Sequence, residues 1–223
     1  MKPRELVASA IVPDGEELRL FRRGGDFMIV LAGNELMSSR MSGSEEALAF
    51  MTCDRLHDRD APHVLIGGYG MGFTLRAALK VLPERAAVTV SELVPEIIAW
   101  ARGPMAELAA GCLDDPRVDV AEGDVATLIR QARGAYDAIL LDVDNGPDGL
   151  TRLANDQLYS SDGLAHAKRA LRAGGVLAIW SGCADPAFTR RLKASGFVVD
   201  EIEVRGRSNG KGPRHRIWLA TPS

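Results

Sequence analysis

Cysteine is sparse in this chain, and its three cysteines form no pattern. Cys53, Cys112 and Cys183 lie far apart with no C-x-x-C pair. That argues against a disulfide framework or structural zinc and for a reducing compartment. The histidines His57, His63, His166 and His215 are equally scattered, and no metal-ligand spacing emerges. No apolar run approaches the ~20 residues a membrane helix needs. The opening MKPRELVASAIVPDGEEL lacks an apolar core of signal-peptide length, so the expected location is the cytoplasm. A charge excess is missing too. Net charge is −3, which gives no bulk electrostatic reason to expect nucleic-acid or membrane partners. Internal repeats and low-complexity tracts are absent. What remains is 223 residues with a 46% hydrophobic fraction, enough for one well-buried core.

Residues 5–40 read as short strands. Leu18–Phe21 and Phe27–Leu31 flank a hairpin-like Arg22-Arg23-Gly24-Gly25-Asp26, and Leu36–Ser39 follows. A small β appendage is expected over 1–43, ahead of a nucleoside-binding catalytic domain over 44–223. Ser44 reads as the N-cap of a helix running to Leu56. Strands and helices then alternate. Strands are expected at His63–Ile66, Ala87–Val90, Arg117–Ala121, Tyr136–Leu141 and Val176–Trp180. Helices are expected at Phe73–Val81, Pro95–Arg102, Val125–Ala132, Gly163–Ala173 (capped by Gly174-Gly175) and Pro186–Ser195. Two last strands, Phe197–Val204 and Ile217–Ala220, have no helix between them. The pattern implies an α/β, Rossmann-like fold with a mostly parallel sheet and one C-terminal antiparallel strand. Ligands of such sheets sit at the carboxyl ends of the strands.

Four strand ends carry candidate chemistry. The turn Gly67-Gly68-Tyr69-Gly70-Met71-Gly72 allows close backbone approach to a ligand, although a glycine turn also serves structure alone. Glu92, beside Leu93, ends the next strand, where an acid accepts hydrogen bonds from ribose hydroxyls or simply complements a helix start. In Gly123-Asp124-Val125, the acid and the following N–H suit adenine, and Asp124 equally suits a helix N-cap. In Asp142-Val143-Asp144-Asn145-Gly146-Pro147, two acids and an amide can orient a cationic ligand or take a proton from an attacking amine. An Asx turn is the structural alternative. Tyr159 lies over the acceptor or packs in the core, and the same choice stands for Trp180. The basic stretch Arg205–Arg216 closes over an anionic acceptor or is a solvated hairpin.

The stretches VLIGGYGMGFTLRAAL, VTVSELVPEII, DPRVDVAEGDV, YDAILLDVDNGP and LRAGGVLAIW together resemble the spermidine-synthase-like branch of class I S-adenosylmethionine-dependent transferases. The resemblance implies a seven-stranded methyltransferase-type sheet behind a small β domain. It also implies ribose binding by Glu92, adenine binding by Asp124, a reacting end at Asp142, and a dimer. Three features depart from the aminopropyltransferase pattern. The acid of its G-G-G-D-G-G turn falls on Met71, its Tyr-His-Glu segment on Glu46-Ala47-Leu48, and its D-x-x-D-P loop on Asp142 to Pro147. A thioether cannot hold an ammonium as a carboxylate does. The expected activity is therefore methyl transfer from S-adenosylmethionine to a small-molecule acceptor, with Asp142, Asp144 and Asn145 as catalytic candidates. The alternatives are aminopropyl transfer from decarboxylated S-adenosylmethionine and a catalytically silent nucleoside-binding module.

Overall fold

The computed structural model describes residues 3–143 and 157–223. Alternating apolar residues at the start of the chain build an antiparallel meander of β1 (Glu5–Ile11), β2 (Glu17–Arg23), β3 (Asp26–Leu31) and β4 (Asn34–Ser38). Leu18 pairs across from Leu31, and Leu20 from Ile29. A period of two puts these four side chains on one face. That face joins the main hydrophobic core, while Arg19 and Arg22 point to solvent.

After α1 (Gly43–Asp54) the chain runs β5 (His63–Gly67), α2 (Phe73–Val81), β6 (Ala87–Glu92), α3 (Pro95–Arg102), α4 (Ala106–Ala109), β7 (Val118–Glu122), α5 (Val125–Gln131) and β8 (Tyr136–Leu141). It continues with α6 (Ser161–Ala170), β9 (Leu171–Ser181), α7 (Pro186–Ala194), β10 (Phe197–Arg205) and β11 (Arg214–Pro222). Among the described residues these strands form one sheet of order β10-β11-β9-β8-β5-β6-β7. The pairs β8–β9, β5–β8, β5–β6 and β6–β7 are parallel, and β11 is antiparallel to both its neighbours. Parallel neighbours need crossovers, which put helices on both faces. All six residues of β8 are accordingly buried. Strand order reverses between β5 and β8, and the crevice this leaves at their carboxyl ends positions the candidate site.

Three local expectations are corrected. Ser44 is not the N-cap of α1; Ser42 holds that place without a side-chain bond. The helix start is pinned instead by the Gly43 N–H, which donates to the Gly206 carbonyl at 3.0 Å. A Cβ on Gly43 would stand 2.3 Å from the Arg207 backbone, so only glycine permits this approach. Next, Gly174-Gly175 does not cap a helix. α6 ends at Ala170, and Leu171 leaves directly in extended conformation. The glycines form an irregularity inside β9: Tyr136 pairs with Leu171, but Ala138 pairs with Val176. Gly174 takes φ +72°, and a Cβ on Gly175 would crowd the Asp137 carbonyl at 3.0 Å. Finally, the last two strands are longer than their apolar centres suggest, and Arg214, His215 and Arg216 belong to β11 rather than to a loop. Among the described residues no helix is long and apolar enough to cross a membrane.

Candidate active site

The turn after β5 is held by a carboxylate. Glu92, 5% exposed at the end of β6, accepts from the Tyr69 N–H at 2.9 Å and the Gly70 N–H at 3.4 Å through one oxygen, and from the Val94 N–H at 2.9 Å through the other. Burial raises its pKa, and the backbone donors oppose that rise. Gly68, Gly70 and Gly72 all have positive φ, which lets the chain double back within one turn. A Cβ on Gly67 would meet the Val125 side chain at 2.9 Å, and one on Gly68 the Asp142 carbonyl at 2.4 Å, so three strand ends pack against one another through these glycines. The side chains of Tyr69 and Met71 turn inward. The Tyr69 hydroxyl lies 3.5 Å from the Cys112 sulfur, and Met71, 1% exposed, belongs to the core.

Asp124 caps α5, accepting from the Ala126 N–H at 2.8 Å. It also lines an open cleft, about 1070 Å³ with the solvent at its mouth included, bounded by Glu92, Leu93, Val125, Gly68 and Gly70. Its capping and ligand-facing placements coexist. The meander supplies the opposite wall through Leu18, Ile29, Leu31 and Met37.

At the far end of the cleft, Asp142 follows β8. Its N–H continues the sheet to the Gly67 carbonyl at 3.0 Å, and its carboxylate accepts from the Thr74 hydroxyl at 2.5 Å. A second acid, Glu45 of α1, enters the same cleft. Glu45 accepts from the Ser44 hydroxyl at 2.6 Å, and the Ser44 oxygen lies 2.8 Å from His215 Nδ1. Burial raises the pKa of both carboxyls, and the negative charge of Asp142 adds to the rise at Glu45. Burial lowers that of His215, which stacks edge-on against Trp180 at 4.8 Å. Trp180 lines the cleft, and its indole N–H has no acceptor among the described residues.

The structure thus brings Gly68, Gly70, Glu92, Leu93, Asp124, Val125, Asp142 and Trp180 to one cleft. Tyr159 is elsewhere: 2% exposed, it packs on Phe188 with ring centres 5.6 Å apart, in the cluster on the other face of the sheet. Asp144 and Asn145 lie outside the described residues. Within the basic stretch, Arg214 and Arg216 contact Glu203 at 3.2 and 3.1 Å. Sequence reasoning missed Glu45, Ser44, Thr74 and His215. One signal for Glu45 was present: it shares a helical face with the buried Leu48, Ala49 and Thr52, an acid at the head of an apolar stripe.

A Rossmann-like sheet with acids at successive strand ends places an acidic, open cleft at the carboxyl ends of its strands, where this class of fold binds its ligands. Residues 45–191 match the spermine/spermidine synthase domain, and the chain belongs to that family. It is 34% identical over 155 residues to polyamine aminopropyltransferase 1 of Streptomyces coelicolor, covering 64% of this chain and 28% of that protein. It is 30% identical over 199 residues to the polyamine aminopropyltransferase of Mycobacterium tuberculosis, covering 85% and 36%. The chain therefore spans about a third of the length of these curated relatives. Spermidine synthase from Thermotoga maritima superposes with a TM-score of 0.76 at 20% identity, over 98% of this chain and 73% of that one. A spermidine synthase in complex with the transition-state analogue AdoDATO gives 0.75 at 19%, with the same coverage. At these identities the superpositions show the fold.

The expected methyl transfer is overturned. The relatives are named for aminopropyl transfer, and the matching domain is that of spermine and spermidine synthases. The expectation rested on a lost acid at position 71. The Met71 side chain faces the core, so it neither binds nor repels anything in the cleft, and an acid the sequence reading passed over, Glu45, stands there instead.

Proposed function

We propose that this chain transfers the aminopropyl group of decarboxylated S-adenosylmethionine to an amine of the polyamine class. The observation that carries the reading is the sign of the cleft. Glu45, Glu92, Asp124 and Asp142 line it, and among the described lining residues there is no lysine or arginine. A nucleoside bearing a sulfonium and an ammonium suits such a lining, and so does a cationic acceptor. A substrate carboxylate does not.

In this reading Glu92 accepts from the ribose hydroxyls while it holds the glycine turn beneath the sulfur. Asp124 and the Val125 N–H address the adenine edge, with Leu93 packed beside the sugar. Asp142 orients the acceptor amine, and Asp144 and Asn145 of the same segment serve that end. The amine nitrogen forms a bond to the propyl carbon attached to sulfur. That carbon–sulfur bond breaks, its electron pair stays on sulfur, and a neutral thioether nucleoside leaves. The proton lost from nitrogen passes to a carboxylate. Asp142 suits this role because burial holds its carboxyl closer to neutrality than an exposed aspartate. Alignment in the cleft supplies much of the acceleration, so no covalent enzyme intermediate is invoked. The acceptor is a small molecule, and the setting is the cytoplasm.

The test is release of 5′-methylthioadenosine by the purified chain given decarboxylated S-adenosylmethionine and a series of diamines and triamines. Asp142→Asn is expected to reduce turnover ~10²–10⁴-fold, the range of positioned acid–base groups, while the nucleoside still binds. Absence of the thioether product with every amine tried would overturn the reading.

A further inference from the structure

Resting on that reading, we propose that Glu45 binds the primary ammonium of the aminopropyl chain, so that α1 supplies the charge that the glycine turn lacks at position 71. The argument begins with how this fold treats its other buried acids. Asp137, 2% exposed, is met by Arg172 at 2.6 Å and Arg59 at 3.2 Å. Glu92 is met by three backbone N–H groups. Glu45 is 8% exposed, yet its side-chain partner is one neutral hydroxyl, and no lysine or arginine is among the described residues of its cleft. A buried carboxylate without a cation is costly, so in the free chain Glu45 is held toward neutrality, and a cation brought by a ligand would stabilise its charged form.

Its support is arranged to leave the charge available. Ser44 has a single hydroxyl proton, which goes to Glu45. The 2.8 Å contact from Ser44 to His215 therefore needs the proton on Nδ1, and His215 is the donor. Burial lowers the pKa of His215, so the imidazole is neutral near pH 7. The relay from His215 through Ser44 fixes the direction of the carboxylate without cancelling its charge. Asp142, aimed by Thr74, carries the second negative charge of the same end, and the two acids repel until a cation lies between them. The Met71 side chain, buried in the core, adds nothing to this end.

The experiment is calorimetric titration of the full chain with decarboxylated S-adenosylmethionine and, separately, with the S,S-dimethylsulfonium of 5′-thioadenosine, which keeps the nucleoside and the sulfonium but has no ammonium. Glu45→Gln is expected to weaken the first ligand at least ~10-fold, as loss of a charged hydrogen-bond partner does, and to leave the second within twofold of wild type. Ser44→Ala, which releases Glu45 and leaves His215 without its acceptor, is expected to show the same selectivity with a smaller loss. It decides the matter should the first variant not fold. Equal affinity of wild type and variants for the ammonium-bearing ligand, or equal loss of both ligands by folded variants, would overturn the role of Glu45. Failure of the wild type to bind either ligand would instead overturn the aminopropyl-transfer reading, and this proposal with it.

Discussion

At the Glu92 end of the cleft, the carboxylate answers backbone N–H groups of the adjacent turn, and Asp124 caps the helix that follows its own strand. At the Glu45 end, the polar groups come from α1, α2, the end of β8 and β11, and they meet side chain to side chain. The first end is built from local chain geometry and is rigid once the crossovers form. The second exists only when segments as far apart as Ser44 and His215 are docked. In the proposed reaction the nucleoside is the same in every turnover, so a backbone cradle suits it. Charge that must be offered and then partly neutralised is better carried by side chains whose protonation can respond.

The sharpest way to break the first end without touching an acid is Gly68→Ala. The backbone there has φ +86°, and the new Cβ would stand 2.4 Å from the Asp142 carbonyl. A loss of about 2 kcal/mol or more is expected from left-handed strain alone, with the clash adding to it. Urea denaturation measures it, and an unchanged midpoint would show that the turn is not held as described.

The second end is sharpened by pH. Glu45 and Asp142 both have carboxyls raised by burial. Between the ordinary carboxyl range and the raised values, the folded chain binds more protons than the unfolded chain. The stability these groups contribute is full in acid and falls as pH rises through their folded values. Measured without ligand, wild type should therefore lose on the order of 2 kcal/mol between pH 5 and 8 relative to a Glu45→Gln/Asp142→Asn double variant. A wild type that gains on that variant over the same range would contradict the shared burial of the two acids.

The smallest effect is expected at Met71→Leu. This swap keeps volume in a core position and should cost less than about 1.5 kcal/mol. The Michaelis constant for the nucleoside should stay at the wild-type value, whereas a severalfold change would return position 71 to the cleft.

The same division explains what could be read from the sequence. Phe73–Val81, Pro95–Arg102 and Tyr136–Leu141 stand where periodicity and proline placed them, because these signals act within one element. Glu92 and Asp124 were legible as acids at strand ends for the same reason. Gly174-Gly175 misled because a glycine pair marks either a helix end or a strand irregularity, and only the pairing of β9 with β8 decides which. Glu45-Glu46 in a first helical turn reads as a complement to the helix dipole. The apolar stripe of α1 hints that Glu45 is buried, but its place beside Asp142 is announced by no local pattern. Tyr159 was ambiguous because packing and pocket tyrosines share a composition, and contact with Phe188 separates them.

The position of β11 has a consequence for how the molecule comes into being. The strand latest in this sequence lies inside the sheet, between β9 and β10, with Ile217, Trp218 and Ala220 wholly enclosed. During synthesis, β9 must wait with its apolar edge uncovered until residues 214–222 emerge, and only then does His215 reach Ser44. Such late, long-range closure slows folding and leaves the nascent chain open to misassociation. The Glu92 end of the cleft can take shape on the ribosome well before the Glu45 end.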